Sequence, residues 1–270
     1  MSGAPVGIEL EELFQRHGFT PVKAELWSQF FEQVCEILRA AANQLRRTEN
    51  WEAFKKKQGA LGVPRSRKRR QVIERIPIED AITSELGHYI RHLCRSLPAG
   101  HFLRLNEVQF HVEYMVPSDT RAGRHSRKVD FFIYAASGVD EPELAIEAKP
   151  IVAPADIGAR YFAEEGIGCF LTADSPYTRQ ALGGMLAYAI NADGRTWRTE
   201  VRAAVSSYTP AAIDLTDVTV AGETAPIICS RHDRAHLGLS PIAILHLEMN
   251  FQPDTEEPAG DAAFPRGPSP

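Results

Sequence analysis

The chain has 270 residues, 44% of them hydrophobic and 24% charged, which is the balance of a folded globular protein with a sizeable core. Its net charge of −5 argues against a wholly basic nucleic-acid coat protein but leaves local basic patches open. The sequence contains neither an uninterrupted run of eighteen apolar residues nor a basic stretch followed by an apolar leader, so no membrane partner is expected. The four cysteines, Cys35, Cys94, Cys169 and Cys229, are far apart and form no CxxC pair, which suits reduced thiols in a cytoplasmic setting better than a disulfide or zinc framework.

In chain order, residues 20–57 predict helix: Phe30, Val34, Leu38 and Ala41 recur at helical spacing, with Trp27 and Cys35 beside them. A loop with Gly59, Gly62 and Pro64 follows, and then a basic run holding Arg65, Arg67, Lys68, Arg69 and Arg70. This run reads as a solvated linker or as a phosphate-contacting arm that gains affinity by counterion release. Residues 1–75 are accordingly expected to be a helical extension with a basic linker, 76–251 the main domain, and 252–270, rich in Pro, Gly and acids, a disordered tail. Residues 76–97 predict a second helix, with Pro77, Glu79 and Asp80 suited to its first turn.

Three strands are then expected, over 107–117, 129–136 and 143–151, with a polar loop before the second carrying Arg121, Arg124, Arg127 and Lys128. Downstream, 154–166 predicts helix, "IGCFLT" strand, 175–194 helix, and "EVRAAVSSY", "DVTVAG", "APIICS" and "PIAILHLEMNF" four more strands. The sum is an α+β chain, a mixed sheet flanked by helices behind an N-terminal helical extension.

The third strand, "ELAIEAKPI", carries the chemistry. Strand side chains alternate, so Glu147 and Lys149 share a face while Ala148 points away. With Asp130 on the neighbouring strand, two carboxylates meet at one end of the sheet and repel unless a cation lies between them. Mg2+, or Mn2+ in its place, takes hard oxygen ligands and needs few protein carboxylates. Lys149 would orient or deprotonate a water, or stabilise charge developing on a phosphate.

Asp130 followed by Glu147-Ala148-Lys149, on two apolar strands behind a helix with an inward acid, resembles the PD-(D/E)XK nuclease superfamily over roughly residues 76–190. The resemblance implies a restriction-endonuclease-like fold and hydrolysis of DNA, with RNA as a further possible substrate, in prokaryotic defence or restriction. It also implies action as an effector in a complex with a protein partner or as a homo-oligomer. Asp130, Glu147 and the Ala148 carbonyl would hold the metal, and Lys149 would serve the water. The further acid from the preceding helix would be Glu79, which falls about 40° from the centre of the stripe formed by Ile82, Leu86, Tyr89, Ile90 and Leu93, whereas Glu85 falls about 80° away on the other side. Glu79 otherwise serves only to complement the helix N-terminus. Arg121, Arg124, Arg127, Lys128, Gln180 and the Arg67-Lys68-Arg69 run would contact the nucleic acid. The chain departs from the pattern at Val129, which stands where the family has proline, and in the eight-residue separation of Gln180 from Tyr188.

Two other readings bear on function. A nuclease relic would be a binding or assembly module docking through its N-terminal helices. The pairs His88/His92 and His232/His236 have zinc-like spacing but read as solvated, with no third ligand evident. No phosphate-binding GxxxxGK[ST] motif and no nucleophile elbow is present.

Overall fold

The structure, a computed structural model, describes residues 7–62, 65–66, 73–74, 77–117, 125–137, 141–171, 175–190 and 196–251. The basic residues Arg67, Lys68, Arg69, Arg121 and Arg124 lie outside them, as does the 252–270 tail. Strand β1 (Ile8–Glu9) leads into helices α1 (Leu10–Arg16), α2 (Pro21–Arg46) and α3 (Thr48–Lys55). A small ribbon of β2 (Arg65–Ser66) and β3 (Ile73–Glu74) precedes α4 (Glu79–Ser96) and α5 (Phe102–Leu105). Then come β4 (Val108–Met115), β5 (Lys128–Ala135) and β6 (Glu143–Ile151), and α6 (Pro154–Asp156), which runs into a π-helical turn at Ile157–Tyr161. The order continues with α7 (Gly168–Leu171), β7 (Leu182–Ala189), α8 (Arg198–Ser207), β8 (Asp214–Thr219), β9 (Ile227–His232) and β10 (Ile242–Asn250).

Among the described residues, eight strands form one mixed sheet in the order β1-β8-β9-β10-β7-β6-β5-β4, so the fold is α+β with a helical N-terminus. Strands β4, β5 and β6 are an antiparallel meander, and β7 then enters parallel to both β6 and β10. One hydrophobic cluster packs α1–α4 against a sheet face that includes Phe131, Leu144, Ile146 and Leu186. The second packs the π-helical turn, α7 and α8 against Ala145, Met185, Ala187 and Ile244 on the other face. The N-terminal helices thus share a core with the sheet, and β1 extends the sheet through its parallel pairing with β8. No helix among the described residues is long and apolar enough to cross a membrane.

Three element expectations are corrected. Leu182–Ala189 is a strand, not helix; all eight residues are buried. A central parallel strand has no polar face, so its sequence loses the alternation that marks half-exposed strands. Gly183 and Gly184 let both neighbours close on it. A Cβ on Gly183 would lie 2.8 Å from Phe170 Cε1 and 3.0 Å from Ile244 Cδ1. Gly183→Ala is expected to destabilise the protein by about 1–3 kcal/mol through overpacking, read as a lower urea midpoint at unchanged slope. Arg198–Ser207 is helix, not strand, because Val201 and Val205 share one buried helical face while Arg198 and Arg202 reach Asp217 from another. Gly168–Leu171 is likewise a short helix, buried throughout and too short for periodicity to type it.

Candidate metal centre

The centre is built where two strands part. The β5–β6 ladder pairs Phe131 with Ile146 and Phe132 with Ala145, and it stops before Asp130 and Glu147. Asp130 then uses its side chain where the backbone no longer pairs: Oδ2 accepts the Ala148 N–H at 2.7 Å. On the outer side of β5, Glu113 takes a positive φ of 53°. Val112 and Phe131, paired before that point, pack with the helical cluster of α1–α4, whereas Tyr114 and Val129, paired after it, pack on the opposite face. The β4–β5 ribbon therefore turns over at Asp130, at the cost of a left-handed non-glycine residue.

Helix α4 presents its N-terminus to this point. The Lys149 ammonium lies 2.5 Å from Glu147 Oε1 and 2.6 Å from Glu79 Oε1. Glu79, Asp130 and Glu147 each offer a carboxylate oxygen, and these oxygens lie within 4.8 Å of one another. Glu147 Oε2 is buried without a hydrogen-bond partner. Asp130, Glu147 and Lys149 are all buried, and Glu79 is half-buried. The structure thus brings together all four residues expected to do chemistry. Glu85 lies elsewhere, paired with Lys57 at 2.5 Å.

The electrostatics follow from three acids around one base. Burial, reinforced by the Glu79 charge, pushes the Asp130 carboxyl up from 3.8 to about 7, even with Lys149 and the Ala148 N–H opposing it. Burial and the Asp130 charge hold Glu147 well above the usual carboxylate range, and burial raises Glu79. Burial alone would lower Lys149, but Glu147, Glu79 and Asp130 outweigh it and raise its pKa, so it is an ammonium at neutral pH.

A second row of groups, not foreseen from the sequence, holds Asp130. Thr83 Oγ1 lies 3.5 Å from Asp130 Oδ1 and 2.9 Å from the Tyr188 hydroxyl, and both Thr83 and Tyr188 are fully buried. One signal was available, since Thr83 sits one helical turn beyond Glu79 on a face that is otherwise apolar. Thr83→Val keeps the shape and removes the hydroxyl, leaving the Tyr188 and Asp130 oxygens short of a partner. Urea unfolding is expected to show a loss of about 1–3 kcal/mol, with Thr83→Ser close to wild type.

The other residues singled out from the sequence are spread out. Lys128 is exposed and pairs with Glu113 at 3.0 Å, which raises its pKa. Half-buried Arg127 accepts the Val116 N–H on its carbonyl at 2.8 Å. Gln180 precedes β7 at the sheet end away from the carboxylates, where its carbonyl accepts from Arg234 at 2.7 Å. His88 and His92 are exposed, as expected. His232 is not solvated. It lies on β9, where its Nε2 and His246 Nε2 each sit 2.8 Å from Ser230 Oγ, and burial lowers the two imidazoles to about 4 and about 3. The polar letters around it suggest a turn, but Ile227–His232 is a ladder strand. No protein-family model matches the chain, and no match was found among curated proteins or solved structures.

Proposed function

We propose that the chain is a divalent-cation-dependent hydrolase of phosphodiester bonds, acting on DNA, with Glu79, Asp130, Glu147 and Lys149 as its centre. The observation that carries this reading is the buried, unpartnered Glu147 Oε2 among three mutually close carboxylates. A buried carboxylate oxygen left without a partner is costly, and the donor set is all hard oxygen, which fits Mg2+ or Mn2+. Asp130 and Glu147 would hold the ion, with the Ala148 peptide held against Asp130 beside them. The chemistry such an ion supplies when bound is polarisation of the phosphate and a lowered pKa for its water.

The chain's own groups supply the rest. Lys149 stays protonated, so it donates hydrogen bonds and positive charge to a phosphate oxygen or a water and does not take up the proton. Glu79 and Glu147 fix its direction. Without the ion, burial raises Asp130 to about 7, and a bound cation would hold it deprotonated as a ligand. The helix α4, the antiparallel β4–β6 meander and the parallel β7 support a restriction-endonuclease-like arrangement around this centre.

The test is incubation with supercoiled plasmid, single-stranded DNA and RNA in Mg2+ or Mn2+, beside Glu147→Ala and a chelator control. DNA cleavage by the wild type alone is expected. No cleavage of any of these substrates would favour a binding module instead, and equal cleavage by Glu147→Ala would remove the centre from the reaction.

A further inference from the structure

A cavity of about 620 Å3 lies on the β4–β5–β6 part of the sheet, within the size range of small-ligand sites. Its lining includes the rings of Tyr114, Phe132 and Tyr134, the carboxylates of Glu141 and Glu143, and Gln180. Lys23 of α2 also borders it, with its ammonium over the Phe19 and Trp27 rings. The strand register places much of this lining on the face that carries Glu147 and Lys149: Tyr134 pairs with Glu143, Phe132 with Ala145, and 143, 145, 147 and 149 alternate onto one side of β6. The rings form a platform. Tyr114 stacks on Phe132 at 4.6 Å with planes 10° apart, and His111 stacks on Tyr134 at 5.6 Å with planes 1° apart. All four rings are half-exposed. Thr178 Oγ1 fixes Glu143 with a 2.7 Å hydrogen bond.

The two carboxylates outnumber the one ammonium, so they repel phosphate while accepting hydrogen bonds from amino groups. Glutamate reads the cytosine amino group, Gln pairs with adenine, and exposed aromatic faces stack unpaired bases. The chemistry therefore favours a base edge over a backbone.

We propose that this cavity captures an unpaired nucleobase of the substrate strand, so that the protein acts on DNA with single-stranded character near the cleavage point. Glu143 and Glu147 are four residues apart on one strand, about 13 Å at ~3.3 Å per residue, so the captured base lies a few nucleotides from the reacting phosphate. The site rests on the hydrolase reading for its substrate, but base capture is measured without cleavage.

The experiment uses full-length Glu147→Gln protein and a single-stranded oligonucleotide carrying 2-aminopurine, whose fluorescence falls on stacking. The expected result is saturable quenching, about tenfold weaker with Tyr134→Leu added and unchanged with Tyr134→Phe. In otherwise wild-type protein, Tyr134→Leu should weaken the preference for DNA with single-stranded character over fully paired duplex. Quenching without cleavage by the wild type would sink the hydrolase reading and leave base capture standing. Cleavage with identical behaviour of wild type and Tyr134→Leu would overturn base capture alone. Quenching that is absent, or unchanged by Tyr134→Leu, would also overturn it.

Discussion

Glu147→Gln is expected to slow cation-dependent DNA cleavage by about 10³-fold or more, with the fold retained. The substitution keeps the volume of a buried side chain and its contact with Lys149, but removes the charge whose second oxygen has no partner in the protein. Losing a single group that acts at the reacting phosphate typically costs about 10²–10³-fold in rate, and groups acting as a unit cost more. Asp130→Asn should fall in the same range, because Asp130 also orients the Ala148 peptide. Single-turnover rates at saturating substrate, with circular dichroism as the control for folding, are the measurement. A loss confined to KM would mean that Glu147 binds substrate without acting on it.

The second large effect is on stability. Lys149→Met removes the one ammonium between Glu147 and Glu79, and stripping one partner from a buried pair costs about 3–5 kcal/mol. The penalty should depend on pH. Lys149, raised above its ordinary value, keeps its charge throughout the neutral range, so its own stabilisation is lost only in strong alkali. The carboxylates titrate instead. Glu147 and Glu79 are raised by burial, so in the variant they take up protons as pH falls and the missing ammonium matters less. Urea unfolding of Lys149→Met against wild type should show the larger deficit at pH 8 and a smaller one at pH 5.

Asp130 gives the wild type a slope of its own. Its carboxyl is pushed from 3.8 to about 7, so between those values the folded state binds more protons than the unfolded one. Cation-free stability should fall as pH rises through that window, by up to about 1.4 kcal/mol per pH unit. This is the reverse of a carboxylate held by a salt bridge. A divalent ion favours the deprotonated cluster and should offset the loss at pH 8, when thermal melting is followed with and without Mg2+.

What could be read from the sequence depended on how rigidly each periodicity constrains a side chain. A two-residue repeat admits no drift, so Glu147 and Lys149 fall on one face of β6 without the structure. The helical angle is enough to separate Glu79 from Glu85, and the structure puts one in the carboxylate group and the other on Lys57. Strand β7 defeats periodicity because small apolar residues buried on both faces carry neither repeat. In α8, Val201 and Val205 fit both periods, and tertiary packing decides between them. Thr83 bonds Asp130 directly and Tyr188 joins through Thr83, both from distant parts of the chain, and nothing local encodes such contacts. His232 looks solvated because its neighbours Arg231 and Asp233 are polar, yet it lies on the inner side of a ladder strand.

The most direct test is a calorimetric titration of chelator-stripped protein with Mn2+ at pH 8. A saturable site is predicted, with proton release on binding, weaker affinity at pH 5.5, and loss of the site in Glu147→Gln. The absence of saturable binding at pH 8, or a site that survives Glu147→Gln unchanged, would contradict a cation centre at Glu79, Asp130 and Glu147.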